Sequence, residues 1–536
     1  MNHIYHNYNK GNLIIAVDIG TTSVKVLAIH ADKLLLHNND ADLVRAKTEE
    51  GYPLNEPKPG WFEQDPEVVV QAVMRSVRHL IEYNGIVSED IKAISFSSAM
   101  HGLIVVDEEG APLTSCMTWA DLRAASYAKK LRENGQAEEI ARRTGVPIHA
   151  MTPLCKLLWL REHDPVLFSK AHAFIGIKEF VLHRWFGAPY VMDESVAGGT
   201  GLYQLESRQW DGKALELVGV EPSRLPQLVP STHVLRGMLP EAAAAMGLTL
   251  DVPVIVGAAD GVLANLGAGA VESGIGAVTV GTSGAVRIAQ DQPTGDAQGR
   301  LFCYALAEGL WIAGGPVNSG GVVLRWVRDK LFPVDAGDAS KGSEATYEKL
   351  VSQAMEIPAG SDGLLALPHL AGERAPHWDE DARGVFFGLS LHHDRRHMIR
   401  ASLEGIIFGL RSVAEAIAAR SSRSDGLAPL REIRASGGFF RSSELRQLMA
   451  DIFGCPVMLM ETEDASAIGA AMLAVHALGE APSLNQLAAS IRITDRRQPN
   501  PEAVRVYNRL YPIYSSLYTA LAPAFAEIAA FQRDEA

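Results

Sequence analysis

The sequence predicts a two-lobed α/β protein in which each lobe is a mixed β-sheet flanked by helices. The chain has 536 residues, which is too long for one hydrophobic core. Two β-rich runs end in a Gly-Thr turn, one at residues 14–23 and one after the midpoint at residues 277–284. In each half the hairpin precedes alternating helix and strand patterns, an order that gives a mixed sheet covered by helices.

The first lobe begins with predicted strands at residues 13–17, 24–30 and 34–38. A helix is predicted over residues 66–83, followed by a buried strand at residues 91–97. The lobe is therefore a β-meander followed by helix and strand in alternation.

The second lobe repeats this order. Residues 254–258 are apolar and predict a buried strand, and residues 277–280 and 285–289 predict a hairpin. A long amphipathic helix over residues 399–419 then precedes a strand at residues 432–435. We expect the two lobes to be structurally related.

The join between the lobes is expected between Thr232 and Val252, and no low-complexity linker marks it. Closely packed lobes with a hinge are therefore expected. The apolar spacing after residue 481 predicts a helical tail that packs either on its own lobe or on another subunit. The predicted parts are a disordered N-terminal tail (1–11), an N-terminal domain (12–250) and a C-terminal domain that includes the helical tail (251–536).

Charge and cysteine content exclude several classes of protein. The formal charge of −14 argues against a grip on nucleic acid or on an anionic membrane. Four cysteines without C-x-x-C spacing argue against a disulfide scaffold and a structural zinc site, and favour a reducing, cytoplasmic compartment. The polar N-terminus is expected to be neither a signal peptide nor a membrane anchor. It contains His3 and His6, which could suggest a metal site, but a frayed tail is the favoured interpretation.

The two Gly-Thr turns predict phosphate-binding hairpins. Small residues let backbone N–H groups and hydroxyls approach a polyanion, although each turn taken alone also fits an ordinary hairpin. Asp18 follows an apolar strand, where a carboxylate is costly unless it meets a cation, and Mg²⁺ on a nucleotide is the usual one. The residues of the two turns are Gly20, Thr21 and Thr22, and Gly281, Thr282 and Ser283.

A second carboxylate, Asp260, ends an apolar strand and precedes a helix-like run. Active sites of open α/β sheets lie at the carboxyl edge of the strands, so Asp260 is a candidate catalytic base. The alternative is a helix N-cap, where aspartate is common.

Three further segments carry candidate binding residues. His101 follows a buried strand and either donates to a substrate hydroxyl or satisfies a loop carbonyl. Trp119, Asp121 and Arg123 combine an aromatic face, a carboxylate and a guanidinium, as polyol recognition requires, or form a helix start with a surface ion pair. In residues 434–440 two glycines precede a helix over residues 442–453, which suits the flat approach of adenine or ribose and equally fits a plain strand-to-helix turn.

Together these segments resemble the FGGY carbohydrate kinases of the actin-like ATPase superfamily. The resemblance runs from about Leu13 to Leu478 and includes both long, gapped family signatures. One signature is met by residues 151–163 (MTPLCKLLWLREH), and the other by residues 384–404, from GVFFGL through His397-Met398 to ASLE.

The resemblance implies two ribonuclease-H-like domains of the actin/hexokinase type with the active site in the cleft between them. It implies ATP and Mg²⁺, with Asp18 and Asp260 at the metal and Asp260 as the catalytic base. It places the sugar at His101, Trp119, Asp121, Arg123 and Asp260. It places the nucleotide at the two Gly-Thr turns and at Gly321, Gly437 and Gly438. Family members are often homodimers.

Within the family, residues 95–102, 118–121 and 174–179 are most similar to gluconokinases, with xylulokinases second. Met100 and His101 stand where glycerol kinases have an Arg-Glu pair, which argues against glycerol. A sugar acid needs a cationic partner, and Lys156 and Lys178 are candidates unless they form structural ion pairs. A non-catalytic actin-like ATP-binding regulator is the alternative from another class, but a nucleotide switch needs no polyol pocket.

Overall fold

The computed structural model describes residues 11–35, 43–187, 189–332, 342–420, 430–461 and 464–534. The predicted N-terminal tail therefore lies almost entirely outside the described residues.

The elements are numbered in chain order. The strands are β1 (Leu13–Ile19), β2 (Ser23–His30), β3 (Val44–Gly51), β4 (Glu63–Gln64), β5 (Ile91–Ser98), β6 (Ile104–Val106), β7 (Cys116–Met117), β8 (Ala173–Ile175), β9 (Val191–Asp193), β10 (Tyr203–Gln204), β11 (Gln209–Trp210), β12 (Gln227–Val229), β13 (Val234–Leu235), β14 (Val254–Ala259), β15 (Ile275–Val280), β16 (Gly284–Gln290), β17 (Phe302–Ala307), β18 (Leu310–Val317), β19 (Leu365–Leu367), β20 (Val385–Phe387), β21 (Glu432–Ser436), β22 (Val457–Met460) and β23 (Ile493–Arg497). The α-helices are α1 (Ala31–Leu35), α2 (Pro66–Tyr83), α3 (Ala125–Glu133), α4 (Gln136–Thr144), α5 (Pro153–His163), α6 (Pro165–Lys170), α7 (Ile177–Phe186), α8 (Glu194–Gly198), α9 (Gly212–Val218), α10 (Pro240–Met246), α11 (Asp260–Gly267), α12 (Gly321–Trp326), α13 (Gly342–Met355), α14 (Arg395–Ala419), α15 (Ser443–Phe453), α16 (Ala465–Ala477), α17 (Leu484–Ala488) and α18 (Pro501–Asp534).

The chain folds into two units, each assembled from three segments. Unit 1 comprises Met1–Glu272, Ala289–Ala313 and Asp464–Ile491, and unit 2 comprises Ser273–Ile288, Gly314–Glu463 and Arg492–Ala536. This division differs from the boundary expected near residue 250. The reason is that β14 pairs in parallel with β5, so the strand before Asp260 completes the sheet of unit 1.

The sheet of unit 1 has the strand order β13-β14-β5-β1-β2-β3. Strand β1 is buried and apolar except near its end, as expected of a central strand covered on both faces. It runs antiparallel to β2 and parallel to β5. Helix α2 has the predicted bounds, because Asp65 caps it and Pro66 fits its first turn.

Helices α11 and α16 of unit 1 pack closely because each has a glycine at the contact with the other. A Cβ on Gly267 would lie 1.9 Å from the carbonyl oxygen of Ala465, and one on Gly469 would lie 2.0 Å from that of Leu263. Neither position accepts a side chain without moving a backbone. This contact joins the segment after residue 464 to the helix that Asp260 begins.

In unit 2, strands follow the order β18-β16-β15-β21-β22-β23. The β15–β16 hairpin and the parallel pairing of β15 with β21 agree with the predicted elements. Helix α14 begins four residues before its predicted start, because Asp394 caps it.

The C-terminal helix α18 packs on its own unit, against α14 and α15, which is the first of the two alternatives for the tail. Glu404 of α14 is buried, and its Oε1 accepts hydrogen bonds from Tyr507 of α18 (2.8 Å) and from Arg400 (2.7 Å). The predicted strand at residues 34–38 is wrong where it can be compared, since Leu34 and Leu35 end helix α1, and the rest lies outside the described residues. In the described part of the chain, the helices are all too short or too polar to cross a membrane.

Candidate functional site

Three parallel strands of unit 1 end at the same edge of the sheet. In the register of the sheet, Ser98 of β5 lies beside both Ile19 of β1 and Ala259 of β14. Asp18 is next to last in β1, and Asp260 follows β14 directly. The fold therefore brings both predicted carboxylates to one carboxyl edge, where α/β sheets hold their ligands.

The carboxylate of Asp18 is held by two hydroxyls. Its Oδ1 accepts a hydrogen bond from Ser97 (2.6 Å), and its Oδ2 accepts one from Ser466 of α16 (2.7 Å). Hydroxyls orient a carboxylate without neutralising it, and the described residues form no ion pair with Asp18. The carboxylate is therefore suited to a hard cation, whose preferred ligands are oxygens.

Asp260 is the first residue of α11, and the N-cap position is Ala259. The N-cap alternative for Asp260 is therefore wrong. The Asp260 Oδ1 accepts a hydrogen bond from the Gly261 amide at 2.5 Å. A carboxylate in the first turn of a helix interacts favourably with the helix dipole.

The turn after β1 is held by surrounding side chains. The Gly20 amide donates to the Ser23 carbonyl at 2.9 Å, and the hydroxyl of Tyr52 donates to the Gly20 carbonyl at 2.6 Å. Gln64 Nε2 donates to the Thr21 carbonyl at 2.6 Å. Because these groups occupy the carbonyls of the turn, its conformation is fixed without a ligand.

His101 has a strained backbone, with φ of 67° in the left-handed region. Its Nδ1 lies 2.7 Å from the Gly199 carbonyl, so this nitrogen carries the proton and donates. In the neutral ring Nε2 is then the acceptor. The loop-carbonyl alternative is therefore correct for Nδ1. Contact between Nε2 and a substrate hydroxyl stays a prediction.

Trp119 is 40 % exposed, and its indole Nε1 donates to the Thr21 hydroxyl at 2.8 Å. The indole thus joins the predicted sugar-binding segment to the predicted phosphate turn. An exposed aromatic face of this kind can stack on the apolar side of a polyol.

Asp121 and Arg123 form a buried ion pair, not a surface pair. The Asp121 side chain is fully buried, and that of Arg123 is 3 % exposed. Arg123 contacts both oxygens of Asp121, through Nε (2.8 Å to Oδ1) and Nη2 (2.7 Å to Oδ2), and its guanidinium stacks 3.9 Å from the ring centre of Trp61. The surface-pair alternative is therefore wrong. The buried pair supports the segment that carries Trp119, and sugar contact by Asp121 and Arg123 stays a prediction.

Unit 2 brings its predicted nucleotide residues to one edge of its own sheet. The turn at residues 281–283 joins β15 to β16, and the amide of Gly321 donates to the Gly281 carbonyl at 2.8 Å. Gly437 follows the neighbouring strand β21 with φ of 96°, and a Cβ there would lie 2.3 Å from the Val280 carbonyl oxygen. Only glycine fits that position. By contrast, a Cβ at Gly281 or Gly438 would meet nothing within 4 Å, so both face open space.

Comparison with known proteins identifies the family. The sequence matches the N-terminal domain of the FGGY family of carbohydrate kinases over residues 13–267 and the C-terminal domain over residues 276–478. The chain belongs to the FGGY family. It is therefore an ATP-dependent carbohydrate kinase and not a non-catalytic actin-like regulator.

Individual FGGY kinases are similar along nearly the whole chain. The gluconokinase of Bacillus subtilis (strain 168) is 41% identical over 520 residues, which cover 97% of this chain and 98% of the relative. The xylulose kinase of the same organism is 30% identical over 509 residues, covering 94% and 96%. The crystal structure of gluconate kinase from Lactobacillus acidophilus matches with a TM-score of 0.89 and 35% identity, covering 96% of this chain and 99% of that chain. These matches confirm the predicted family and the two-domain α/β fold.

The first FGGY signature contributes a fully buried lysine, Lys156 on α5. Its Nζ donates to the carbonyls of His101 (2.7 Å), Met117 (3.0 Å) and Thr118 (2.7 Å). All three ammonium protons are thus used, which removes Lys156 as a partner for a substrate carboxylate. The lysine instead holds the His101 segment and the segment before Trp119 together.

Lys178 is likewise a structural residue in this FGGY kinase. It is 1 % exposed and paired with Asp193, which is fully buried. The structural ion pair that the sequence left open is therefore correct for Lys178. Sequence reasoning did not single out Asp193 and Ser195, although an aspartate directly before a helix is typical of an N-cap residue.

We predict that Lys156→Met changes the pH dependence of stability. Burial lowers the pKa of Lys156 to about 8, from 10.5, against the opposing charge of Asp121. Between these values the unfolded chain binds more protons than the folded chain, so this group makes stability rise with pH. The variant lacks that gain. The free energy of unfolding of the parent minus that of Lys156→Met should therefore increase by about 1–2 kcal/mol between pH 7.5 and pH 9.5 in urea titrations. Ionisation of cysteines is common to both chains and cancels. A difference that is equal at both pH values would contradict a lowered pKa.

Proposed function

We propose that this FGGY kinase transfers the γ-phosphate of MgATP to the terminal hydroxyl of D-gluconate. The choice of substrate is supported by sequence identity, which is higher to the gluconokinase than to the xylulose kinase at nearly equal coverage. D-xylulose is the second candidate, because the xylulose kinase also matches along nearly the full chain.

Asp260 is the proposed general base. A sugar hydroxyl is a weak nucleophile at neutral pH, and Asp260 would accept its proton as attack on the γ-phosphate develops. The carboxylate stands at the start of α11, on a backbone fixed by β14 and by the close packing of α11 on α16. That rigidity supports the proposal, since catalysis of phosphoryl transfer is mostly positioning and charge neutralisation.

Asp18 and Asp260 are the proposed protein ligands of Mg²⁺. Mg²⁺ commonly binds one or two carboxylates and takes its other ligands from water and phosphate, and when bound it neutralises phosphate charge. The two hydroxyls on Asp18 hold the carboxylate in place for this role.

The nucleotide and the sugar are assigned to separate sets of residues. We assign ATP phosphates to the turns at residues 20–22 and 281–283, and adenosine to Gly321, Gly437 and Gly438. The sugar is assigned to His101, Trp119 and Asp260. Lys156 and Lys178 are already bonded to groups of the protein. We therefore expect backbone N–H groups or other cations to bind the gluconate carboxylate.

We also propose a cytoplasmic location, which is supported by four buried cysteines that are free thiols. The homodimer that the family resemblance implies stays a prediction.

The phosphate turn of unit 2 has a clean test in Gly281→Val. Open space at Gly281 means that the added side chain should leave the fold intact while it blocks approach of a phosphate to the backbone. Binding of a non-hydrolysable ATP analogue with Mg²⁺, measured by calorimetry, should weaken roughly tenfold or more, about 1.4 kcal/mol. Gly212→Val is the matched control, since Gly212 also faces open space. Unchanged affinity in Gly281→Val would remove this turn from the nucleotide site.

Gly20→Val is a less direct test of the first turn, because a Cβ at Gly20 would lie 3.0 Å from the Ser23 carbonyl oxygen and could disturb the turn itself.

Asp260→Asn tests the base. The amide keeps the size of the side chain and cannot accept the proton, so kcat should fall about 100-fold or more. Steady-state kinetics at saturating gluconate and ATP measure this. A kcat near that of the parent enzyme would show that Asp260 is not the base.

The substrate is tested by comparing kcat/KM for D-gluconate, D-xylulose, D-ribulose and glycerol. A site that pairs a cation or N–H groups with the acid should prefer gluconate by roughly tenfold or more, since a neutral sugar leaves those groups unpaired. A site built for neutral hydroxyls must desolvate a carboxylate without a partner and would give the reverse order. Preference for xylulose would overturn gluconate as the substrate and leave the base and the kinase activity in place.

A further inference from the structure

The backbone that carries Asp260 is held from behind by a serine. The amide of Ala259, the last residue of β14, donates to the hydroxyl of Ser195 at 2.8 Å. Ser195 is fully buried in α8, a helix that follows β9. This hydrogen bond acts at the point where the strand ends and the helix begins, which sets the direction in which the next side chain leaves the backbone.

The polarity of this contact is fixed by Asp193. The Ser195 hydroxyl donates to Asp193 Oδ1, which also accepts the Ser195 amide at 2.9 Å. Because the single hydroxyl proton is used by the carboxylate, the hydroxyl oxygen is left to accept the Ala259 amide. The serine cannot rotate away without giving up both bonds.

Asp193 is in turn paired with a lysine. Its Oδ2 accepts from Lys178 Nζ of α7, and neither side chain is more than 1 % exposed. A buried ion pair contributes little net stability, because the cost of desolvation offsets the attraction. Its contribution here is geometric: it fixes the carboxylate that orients the serine.

We infer that Lys178, Asp193 and Ser195 form a positioning network for the catalytic base. The inference rests on the proposed role of Asp260. The network does not touch substrate. It holds the amide of Ala259, and through this amide it fixes the place from which the Asp260 carboxylate reaches the sugar hydroxyl. A shift of the base by about 1 Å is enough to slow turnover about 100-fold.

Ser195→Ala is the primary test. The variant removes the acceptor for the Ala259 amide, and kcat should fall about 10- to 100-fold while KM for ATP stays unchanged. Ser195→Thr keeps a hydroxyl and should recover part of the lost kcat. Ser76→Ala is the matched control, because Ser76 is also buried in unit 1 but its hydroxyl contacts Thr48. Its kcat should equal that of the parent. A kcat of folded Ser195→Ala equal to that of the parent would overturn the inference.

A double-variant cycle shows whether Ser195 acts through the base. In an Asp260→Asn background, Ser195→Ala should cause no further loss of the residual kcat, since there is no base left to position. Losses that multiply would overturn the inference while the base assignment stands. A fully active Asp260→Asn enzyme would instead overturn the proposed function, so the two failures are distinguishable.

Lys178→Met/Asp193→Asn provides a second measurement if Ser195→Ala does not fold. The double variant removes both buried charges together and keeps a side chain that can cap α8. The inference expects lower kcat at unchanged KM for ATP. An unchanged kcat in this variant would also overturn it.

Discussion

Parallel pairing of β5 with both β1 and β14 is the constraint on which the rest of unit 1 depends. It aligns the ends of three strands, so that Asp18 and Asp260 reach one edge from positions far apart in the chain. A slip of one residue in β1 would turn the carboxylate of Asp18 to the opposite face of a buried sheet. The apolar run before Asp18 fixes this register, and the hydrogen bond from Ser97, its partner in β5, is formed only when the register is correct.

The family resemblance pointed to several segments of unit 1 that contain charged side chains. Most of these side chains bond to other parts of the protein. Lys156 donates its hydrogen bonds to backbone carbonyls. Asp121 and Arg123 form a buried ion pair, and the Arg123 guanidinium packs on the ring of Trp61. Lys156 uses all three of its ammonium protons, and both oxygens of Asp121 accept hydrogen bonds, which lowers the cost of burying these charges. They bring loops together that have little secondary structure of their own. The exposed residues of the same segments, Trp119 above all, are then free to contact small molecules.

Sequence reasoning succeeded where the signal was local. The bounds of α2 follow from Asp65, Pro66 and the apolar period, and the place of Asp260 follows from an apolar run that stops at a carboxylate. It failed where the deciding contact is distant. Nothing near Asp121 and Arg123 shows that their ion pair will be buried against Trp61, which is distant in the sequence. Likewise, no local pattern assigns β14 to unit 1, because that assignment depends on its pairing with β5.

The contact between Ser466 and Asp18 has a consequence for the order of events during synthesis. Domains at the start of a chain usually fold while the ribosome is still making the rest. Here the two residues are separated by 448 positions, and unit 1 includes the segment Asp464–Ile491. The first strand must therefore wait, incompletely covered, until most of the chain has emerged. Unit 1 thus completes its native contacts late in synthesis, after Ser466 has been added to the chain.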